Sequence, residues 1–151
     1  MKRQTIKPIL GWREWVELPA LGIKAIKAKV DTGARTSVLH AFSVETFVDE
    51  GTSKARFGIH PLQKRADIEI YCVADVVDER WVTDSGGHGE LRLVIMTPVT
   101  VGDATWPIEM TLTNRDSMGF RMLLGRTALK HRFLVDPDAS YRSRNGPSGK
   151  R

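Results

Sequence analysis

Residues 30–37 of this 151-residue chain have the sequence VDTGARTS, and this stretch decides how the rest of the chain is interpreted. A strand-like segment runs into Asp31, which is followed by the small polar Thr32 and by Gly33. Glycine permits a tight turn and a close backbone approach. The N–H groups of such a turn can hold the carboxylate of Asp31 in one orientation. The alternative is an ordinary turn in which the aspartate bonds its own backbone.

On both sides of this turn the chain consists of short alternating segments rich in Val, Ile and Thr, without a repeat or a long helical period. Strands are predicted at residues 12–18, 23–30, 37–42, 55–59, 66–77, 108–113, 122–125 and 133–135. Hairpins are predicted around residues 84–89 and 102–103, and one short helix at residues 127–131. The pattern predicts an all-β fold, either a barrel or a sandwich, with one short helix.

The composition is that of an ordinary globular domain, with 41% hydrophobic and 27% charged residues. No apolar run approaches the roughly 20 residues needed to span a bilayer, and the first residues lack the apolar region of a secretory signal. Cys72 is the single cysteine, so a disulfide within the chain and a thiolate zinc cluster are excluded. We expect it to be a buried small side chain in a strand, and we expect a cytoplasmic protein with no membrane partner.

The net charge of +5 is concentrated at the C-terminus. Residues 138–151 hold four basic residues and one acidic residue and are rich in Ser, Gly and Asn, so we expect a basic, disordered tail after a folded domain of residues 1–137. Without this tail 19 basic and 17 acidic residues remain, a net charge of +2. Charge is therefore weak evidence for nucleic-acid binding, and no RNA- or DNA-binding motif supports it.

The sequence around Asp31 resembles the active-site turn of aspartic peptidases of the retroviral type. Residues 123–126 (LLGR) resemble the second signature of those proteins, in which two apolar residues and a glycine cross behind the catalytic turn. The hairpin at residues 84–89 lies between the two motifs, where a flap is expected. The similarity is closer still to a bacterial retropepsin-like family formerly labelled ATP-dependent zinc proteases. It covers residues 9–137 and is carried by residues 10–16, 29–37, 106–109, 111–115 and 122–126.

This resemblance implies a single-lobe, retropepsin-like acid-protease barrel with Asp31, Thr32 and Gly33 at the catalytic centre. An aspartic peptidase needs two carboxylates that share one proton, because close like charges do not both ionise. The chain has one Asp-Thr-Gly, and the nearest second copy, residues 84–86, lacks a long apolar strand before it. The economical solution is a two-fold homodimer in which each chain contributes Asp31 and Thr32 bonds across the dyad.

The resemblance also bears on the substrate. Arg35 occupies a place where retroviral enzymes carry an acid that pairs with the arginine after the later glycine, here Arg126. We expect Arg35 and Arg126, together with Arg121, to bind substrate carboxylates, since guanidinium forks suit that role. Pairing of these arginines with acids elsewhere in the fold is the alternative. Some members of the family accompany an ATP-grasp ligase that adds glutamates to a ribosomal protein, and they trim the added tail. That implies an acidic, poly-glutamyl protein segment as substrate, with nucleic acid involved only through a ribosomal substrate.

Two other functions stay open. A catalytically inactive retropepsin-fold module for binding or assembly would need no close approach of two Asp31 carboxylates. A metal hydrolase, as the old label suggests, would need about three protein ligands. The four histidines are scattered through the sequence, and no phosphate-binding loop for ATP is present. We therefore expect no metal and no cofactor.

Overall fold

The computed structural model describes residues 6–83 and 86–143. Within these residues the chain forms eleven strands, one short helix and a 3₁₀ turn at Pro19–Leu21. The strands before the first long hairpin are β1 (Ile9–Leu10), β2 (Arg13–Leu18), β3 (Ile23–Asp31), β4 (Ser37–His40), β5 (Ser43–Asp49) and β6 (Thr52–Ile59). They are followed by β7 (Ile70–Thr83), β8 (Gly89–Val101), β9 (Ala104–Thr113), β10 (Met122–Gly125), α1 (Arg126–Leu129) and β11 (Leu134–Val135).

Six of the strands close into a barrel. The main sheet has the order β2-β3-β10-β4-β9-β8-β7-β6-β5, and a second pairing joins β2 to β8 at Glu17 and Thr100. This contact closes β2, β3, β10, β4, β9 and β8 on themselves and removes their edges. Strands β7, β6 and β5 continue from β8 as a ribbon, and β1 pairs with β11 in a separate small sheet. The all-β prediction with one short helix is confirmed.

Alternation along the strands builds the core. In β3, Ile26, Ala28 and Val30 are buried while Lys29 on the opposite face is exposed, as the sequence pattern predicts. Burial of one such aliphatic side chain stabilises the fold by roughly 1.5–3 kcal/mol. Strands β2, β8 and β9 supply most of the opposite walls of the barrel core.

Strand β10 has the pairing that positions the site. It runs parallel to β3, with Leu124 opposite Val30 and Gly125 opposite Asp31, and antiparallel to β4. It therefore lies between the two strands that flank residues 32–36. The short helix α1 follows β10 directly, one residue earlier than the predicted helix.

The ribbon contains a strand that the sequence patterns missed. Strand β5 is mostly exposed and pairs with β6 through the turn at Glu50 and Gly51, whose φ angles are 50° and 78°. Two positive φ values in a two-residue turn match the right-handed twist of the flanking strands. The Glu-Gly pair was the available signal for this hairpin.

The predicted boundary at residue 137 is too early. Tyr141 is only 7% exposed and stacks on Trp15, with ring centroids 6.2 Å apart. The N–H groups of Arg142 and Ser143 both donate to the buried carboxylate of Glu14, at 2.9 Å. Residues 138–143 are thus packed on the barrel, and the prediction of a disordered tail is wrong for them. Residues 144–151 lie outside the described part of the chain.

Cys72 lies in β7 and is 3% exposed, with its thiol 3.4 Å from the carbonyl oxygen of Leu21. Burial raises the pKa of this thiol to about 11. A protonated, buried thiol is a poor nucleophile, which confirms the prediction of a structural cysteine. Among the described residues, no helix has the length and apolar character needed to cross a membrane.

Candidate active site

Asp31 ends β3 and opens the turn of the DTG motif. Its Oδ1 accepts hydrogen bonds from the N–H groups of Gly33 at 2.9 Å and Ala34 at 3.3 Å. A side chain at Gly33 would crowd this oxygen, because a Cβ there would lie 3.2 Å from Oδ1. No described residue donates to Oδ2, and the side chain is partly exposed. The turn thus fixes the orientation of the carboxylate and leaves one oxygen available.

Strand β10 and α1 hold this turn in place by hydrogen bonds. The N–H of Arg126 donates to Ala34 O at 2.7 Å, and the N–H of Thr127 donates to Arg35 O at 3.0 Å. Gly125 N donates to the buried Ser37 Oγ at 3.0 Å. Asp31 is therefore held by backbone pairing from β10 in addition to its own turn, which is more than an ordinary aspartate turn requires.

The approach of β10 to the turn requires a glycine. A Cβ at Gly125 would lie 2.7 Å from the carbonyl carbon of Thr36, which is backbone and has no freedom to move aside. The two signatures that the sequence placed about ninety residues apart are thus brought into direct contact. Their meeting distinguishes this turn from an isolated DTG.

The β7–β8 hairpin forms the facing wall of a cleft. The cleft has a volume of about 790 Å³ and contains Asp31. One wall is the segment 33–36 together with Val38, and the other is formed by residues 80–83 and Arg92 of the hairpin. Thr111, His40 and Leu123 complete its lining. The hairpin lies where a flap was predicted, although its tip residues 84–85 lie outside the described residues.

A second, apolar groove lies at Thr32, the middle residue of the motif. It has a volume of about 610 Å³ and is lined mainly by α1 and by the chain around β11. Its apolar lining comes from Leu129, Phe133, Leu134 and Val135. The Thr32 side chain is exposed at this groove, while its carbonyl oxygen accepts a hydrogen bond from Arg126 Nη1 at 3.1 Å.

Two of the three arginines predicted to bind substrate lie at the turn. Arg35 is exposed and lines the cleft, and Arg126 is exposed beside Thr32. Neither of them forms an ion pair with a carboxylate in the described part of the chain. The alternative that they are neutralised by acids elsewhere in the fold therefore gains no support.

The prediction for Arg121 is wrong. This side chain is completely buried, and its Nη1 is 2.9 Å from Asp116 Oδ1. Its other N–H groups donate to the carbonyl oxygens of Leu62, Arg65 and Ser117. These contacts hold the loop of residues 114–121 together and tie it to the loop of residues 60–69, and such a guanidinium is a structural clamp because it has no exposed donor for a ligand.

Sequence reasoning missed the two arginines on the hairpin wall, Arg80 and Arg92. Arg92 lies between Leu91 and Leu93, so simple alternation would place the leucines inside and the arginine outside. Leu93 does pack against the core, but Leu91, farther out on the hairpin, is 61% exposed while the Arg92 side chain is only 13% exposed. The available signal was a strand that continues past the core with a charged residue on its second face.

The histidines do not gather at one place. His60 is buried and its Nδ1 lies 2.8 Å from Asp116 Oδ2, whereas His40 contacts the carbonyl oxygen of Arg115 at 3.0 Å. Within residues 6–83 and 86–143, no group of three His, Cys, Asp or Glu side chains is arranged to hold a metal ion.

Comparison with known proteins gives one family and several relatives. The family model for RimB-like proteins, described as retropepsin-like aspartic endopeptidase RimB, matches residues 9–145. A probable alpha-L-glutamate ligase of Shewanella pealeana is 48% identical over 135 residues, which is 89% of this chain and 30% of the ligase. One from Desulfotalea psychrophila is 45% identical over 137 residues, 91% of this chain and 30% of the ligase. The chain thus spans about 30% of the length of these relatives.

The fold also matches a solved structure. A crystal structure of a Legionella pneumophila protein of unknown function has a TM-score of 0.72 and 26% sequence identity. The match covers 90% of this chain and 98% of the Legionella chain. The family match extends past residue 137, in agreement with the packing of residues 138–143 on the barrel.

Proposed function

The chain belongs to the RimB-like family of retropepsin-like aspartic endopeptidases, and we propose that it is itself an aspartic endopeptidase that works as a homodimer on acidic, glutamyl segments of a protein. The observation that carries this proposal is the geometry of Asp31. Its carboxylate is oriented by its own turn, backed by β10 and open toward a cleft under the β7–β8 hairpin. Asp31, Thr32 and Gly33 form the catalytic motif in this proposal.

Two copies of Asp31 would form one coupled titrating unit with a single shared proton. The ionised carboxylate takes a proton from a water as the water oxygen attacks the scissile carbonyl carbon. The protonated partner donates its proton to the carbonyl oxygen. When the C–N bond breaks, the dyad accepts a hydroxyl proton from the intermediate and protonates the leaving nitrogen. One water thus gives one carboxyl and one amine, and the dyad returns to its starting state.

The groove beside Thr32 supports the homodimer. Its apolar lining adjoins the small β1–β11 sheet, where Ile9 is 44% and Leu134 is 54% exposed. A second copy docked here would cover this apolar surface and bring the two Thr32 side chains, and with them the two Asp31 turns, toward one axis. A two-fold interface uses the same patch on both subunits, which fits a single groove per chain.

The substrate class is supported by the relatives and by charge. The two relatives described above are named probable alpha-L-glutamate ligases, and each contains a segment similar to this chain. A hydrolase domain within a ligase that adds glutamate would have the glutamyl product at hand. Arg35 and Arg126 at the turn are suited to bind glutamate carboxylates. We place the reaction in the cytoplasm, since a chain with one buried cysteine needs no oxidising compartment.

The test is cleavage of a peptide that ends in a run of α-linked glutamates, followed by mass spectrometry. We expect product from the native protein in the presence of a chelator. We expect none from Asp31→Asn, because each chain contributes one of the two carboxylates that share the catalytic proton. Asp103→Asn is the matched control, since Asp103 is exposed in the β8–β9 turn away from the cleft, and it should cleave like the native protein. Equal product from Asp31→Asn, or loss of product with the chelator, would contradict the aspartic mechanism.

The second candidate is a binding or assembly module of the same fold without peptidase activity. It predicts no product from the native protein under any condition, and tight binding of the glutamate peptide that Asp31→Asn leaves unchanged. A dimer structure separates the two functions as well. The peptidase requires the two Asp31 carboxylates to lie within hydrogen-bonding distance of one another, and the binding module does not.

A further inference from the structure

The hairpin wall of the cleft carries two like charges that face each other. Arg80 of β7 is paired directly with Arg92 of β8, and both line the cleft that contains Asp31. Like charges directly opposite each other on two strands destabilise the pairing. We therefore expect neighbouring acids to offset the repulsion between the two arginines. We also expect the pair to serve a function in the cleft, since it does not stabilise the strand pairing.

Arg92 is fixed in place by an acid on its own strand. Its Nε donates to Glu90 Oε1 at 2.5 Å, and Arg115 Nη2 lies 3.8 Å from the other oxygen of Glu90. Burial of Glu90 opposes its ionisation, but the hydrogen bond from Arg92 and the charges of Arg92 and Arg115 outweigh it, so the pKa of Glu90 lies below its ordinary value. Glu90 is therefore charged at neutral pH and holds Arg92 in one position.

Arg80 is held in a similar way. It lies between Asp78, at 3.0 Å from its Nε, and Glu109, which contacts its Nη2. Across the cleft, Arg35 is exposed on the turn wall. Arg35, Arg80 and Arg92 thus line the same cleft as Asp31, and acids hold two of them, Arg80 and Arg92, in place.

We propose that Arg92 and Arg80, together with Arg35, form a carboxylate-binding subsite in this cleft, and that Arg92 selects glutamate over glutamine in a bound peptide. This subsite deepens the proposed peptidase function and rests on it for its role. The contact with Glu90 uses Nε, and the guanidinium carries four more N–H donors on its two Nη atoms. Because the side chain is already ordered, binding a carboxylate costs little further conformational entropy.

The same arrangement disfavours a neutral peptide. The Arg92 side chain is 13% exposed, so a peptide lying in the cleft would remove its remaining contact with water. A glutamate repays this loss with a charge-assisted hydrogen bond, whereas a glutamine offers a weaker neutral acceptor. Selectivity therefore combines attraction of the glutamate carboxylate with a desolvation cost that glutamine offsets less well.

The experiment measures binding in the full chain carrying Asp31→Asn, so that the probe stays intact. The probes are a peptide with a run of glutamates and a matched peptide with glutamine at the same positions, titrated by calorimetry. We expect at least tenfold tighter binding of the glutamate peptide. Adding Arg92→Gln should reduce the ratio to below threefold, and Arg92→Lys should restore part of it because the charge returns without the fork. Arg80→Gln, at a more exposed position, provides a second variant if Arg92→Gln fails to fold.

The matched control is Arg115→Gln, which also contacts Glu90 but does not line the cleft. It should keep the full glutamate-to-glutamine ratio. The subsite is overturned if neither Arg92→Gln nor Arg80→Gln changes the ratio, if both peptides weaken equally, or if Arg115→Gln lowers the ratio as much.

Native cleavage separates this failure from failure of the proposed function. If the native protein cleaves both peptides with equal kcat/KM, the proposed peptidase activity is supported and the proposed subsite is contradicted. If it cleaves neither peptide while the binding preference depends on Arg92, the subsite is supported and the peptidase activity is contradicted.

Discussion

Glu14 and Asp31 are both acids held by backbone N–H groups, but Glu14 is completely buried whereas Asp31 lies partly exposed in a cleft. Glu14 accepts hydrogen bonds from the N–H of Gly11 at 2.6 Å and from the N–H groups of Arg142 and Ser143 at 2.9 Å. The Ser143 hydroxyl adds a fourth bond at 2.8 Å. Both oxygens of Glu14 are used, and they join the start of β2 to the C-terminal segment.

Asp31 has one carboxylate oxygen, Oδ2, that accepts no hydrogen bond from the described residues. Its two donors, Gly33 and Ala34, both bind Oδ1. A saturated, buried carboxylate serves the fold, while an oriented carboxylate with an open oxygen in a cleft is able to serve chemistry. The difference between these two acids therefore predicts opposite consequences for similar substitutions.

The largest expected effect is the separation of stability from activity at these two acids. Glu14→Gln places an amide N–H₂ against N–H donors in a buried site, so it should lower the free energy of unfolding by about 2–4 kcal/mol. Asp31→Asn keeps an oxygen for Gly33 and Ala34, and it should change stability by less than about 0.5 kcal/mol while cleavage is lost. Urea denaturation of the two variants measures the first quantity, and the peptide assay measures the second.

The proposed difference between Glu14 and Asp31 is contradicted if the two substitutions change the free energy of unfolding equally. A large destabilisation by Asp31→Asn would mean that the turn is structural, and a mild effect of Glu14→Gln would mean that residues 138–143 contribute little to the fold. Glu45→Gln, on an exposed strand of the ribbon, is the control for changing a carboxylate to an amide and should be neutral.

A smaller effect is expected where β10 supports the Asp31 turn. Ser37→Ala removes the buried hydroxyl that accepts the N–H of Gly125. Leaving that donor unsatisfied should cost about 1–3 kcal/mol in the free energy of unfolding. Ser53→Ala, at an exposed position near the start of β6, should cost less than about 0.5 kcal/mol. If the two serine variants unfold at the same urea concentration, the hydrogen bond between Gly125 of β10 and Ser37 stabilises the turn less than its geometry implies.

The barrel and the turn were predictable because local and long-range signals agree there. The alternation in β3, the DTG turn and the apolar run of β10 each point to the same arrangement. The Gly102 turn between β8 and β9 was also visible as a hairpin signal. These segments have their apolar residues where the barrel needs them.

Side-chain roles at the cleft were less predictable because they depend on which loops pack together. Arg121 and Arg35 are both basic residues beside a motif, yet Arg121 finds loop carbonyl oxygens and Asp116, and Arg35 faces the cleft. Arg92 lies on the opposite face of β8 from Leu93, which packs against the core, and yet it is largely covered where it lines the cleft. No local pattern records such long-range packing.

The C-terminal segment shows the same limit. Composition alone suggested disorder from residue 138, and the segment is rich in small polar residues. Its order comes from two distant partners, Glu14 and Trp15, that bind Arg142, Ser143 and Tyr141. The available hint in the sequence was an acid, Glu14, on the same alternating face of the predicted strand as Val16 and Leu18.

A third acid, Glu90, lies between the two extremes and gives the smallest expected effect. Its side chain is 29% exposed and pairs with Arg92. Its pKa is lowered below the ordinary 4.5, because the hydrogen bond from Arg92 and the charges of Arg92 and Arg115 outweigh its burial. The stabilisation is therefore fully present above about pH 4.5 and is lost as pH falls through the lowered pKa.

Glu90→Gln should reduce stability at pH 7 by less than about 1 kcal/mol, since solvent screens the pair. The difference in Tm from the native protein should shrink steadily as the pH falls below about 4.5, and it should also shrink in high salt. A difference that stays the same as the pH falls would show that Glu90 acts through packing and not through its charge, which would leave Arg92 without the anchor that distinguishes it from an ordinary surface arginine.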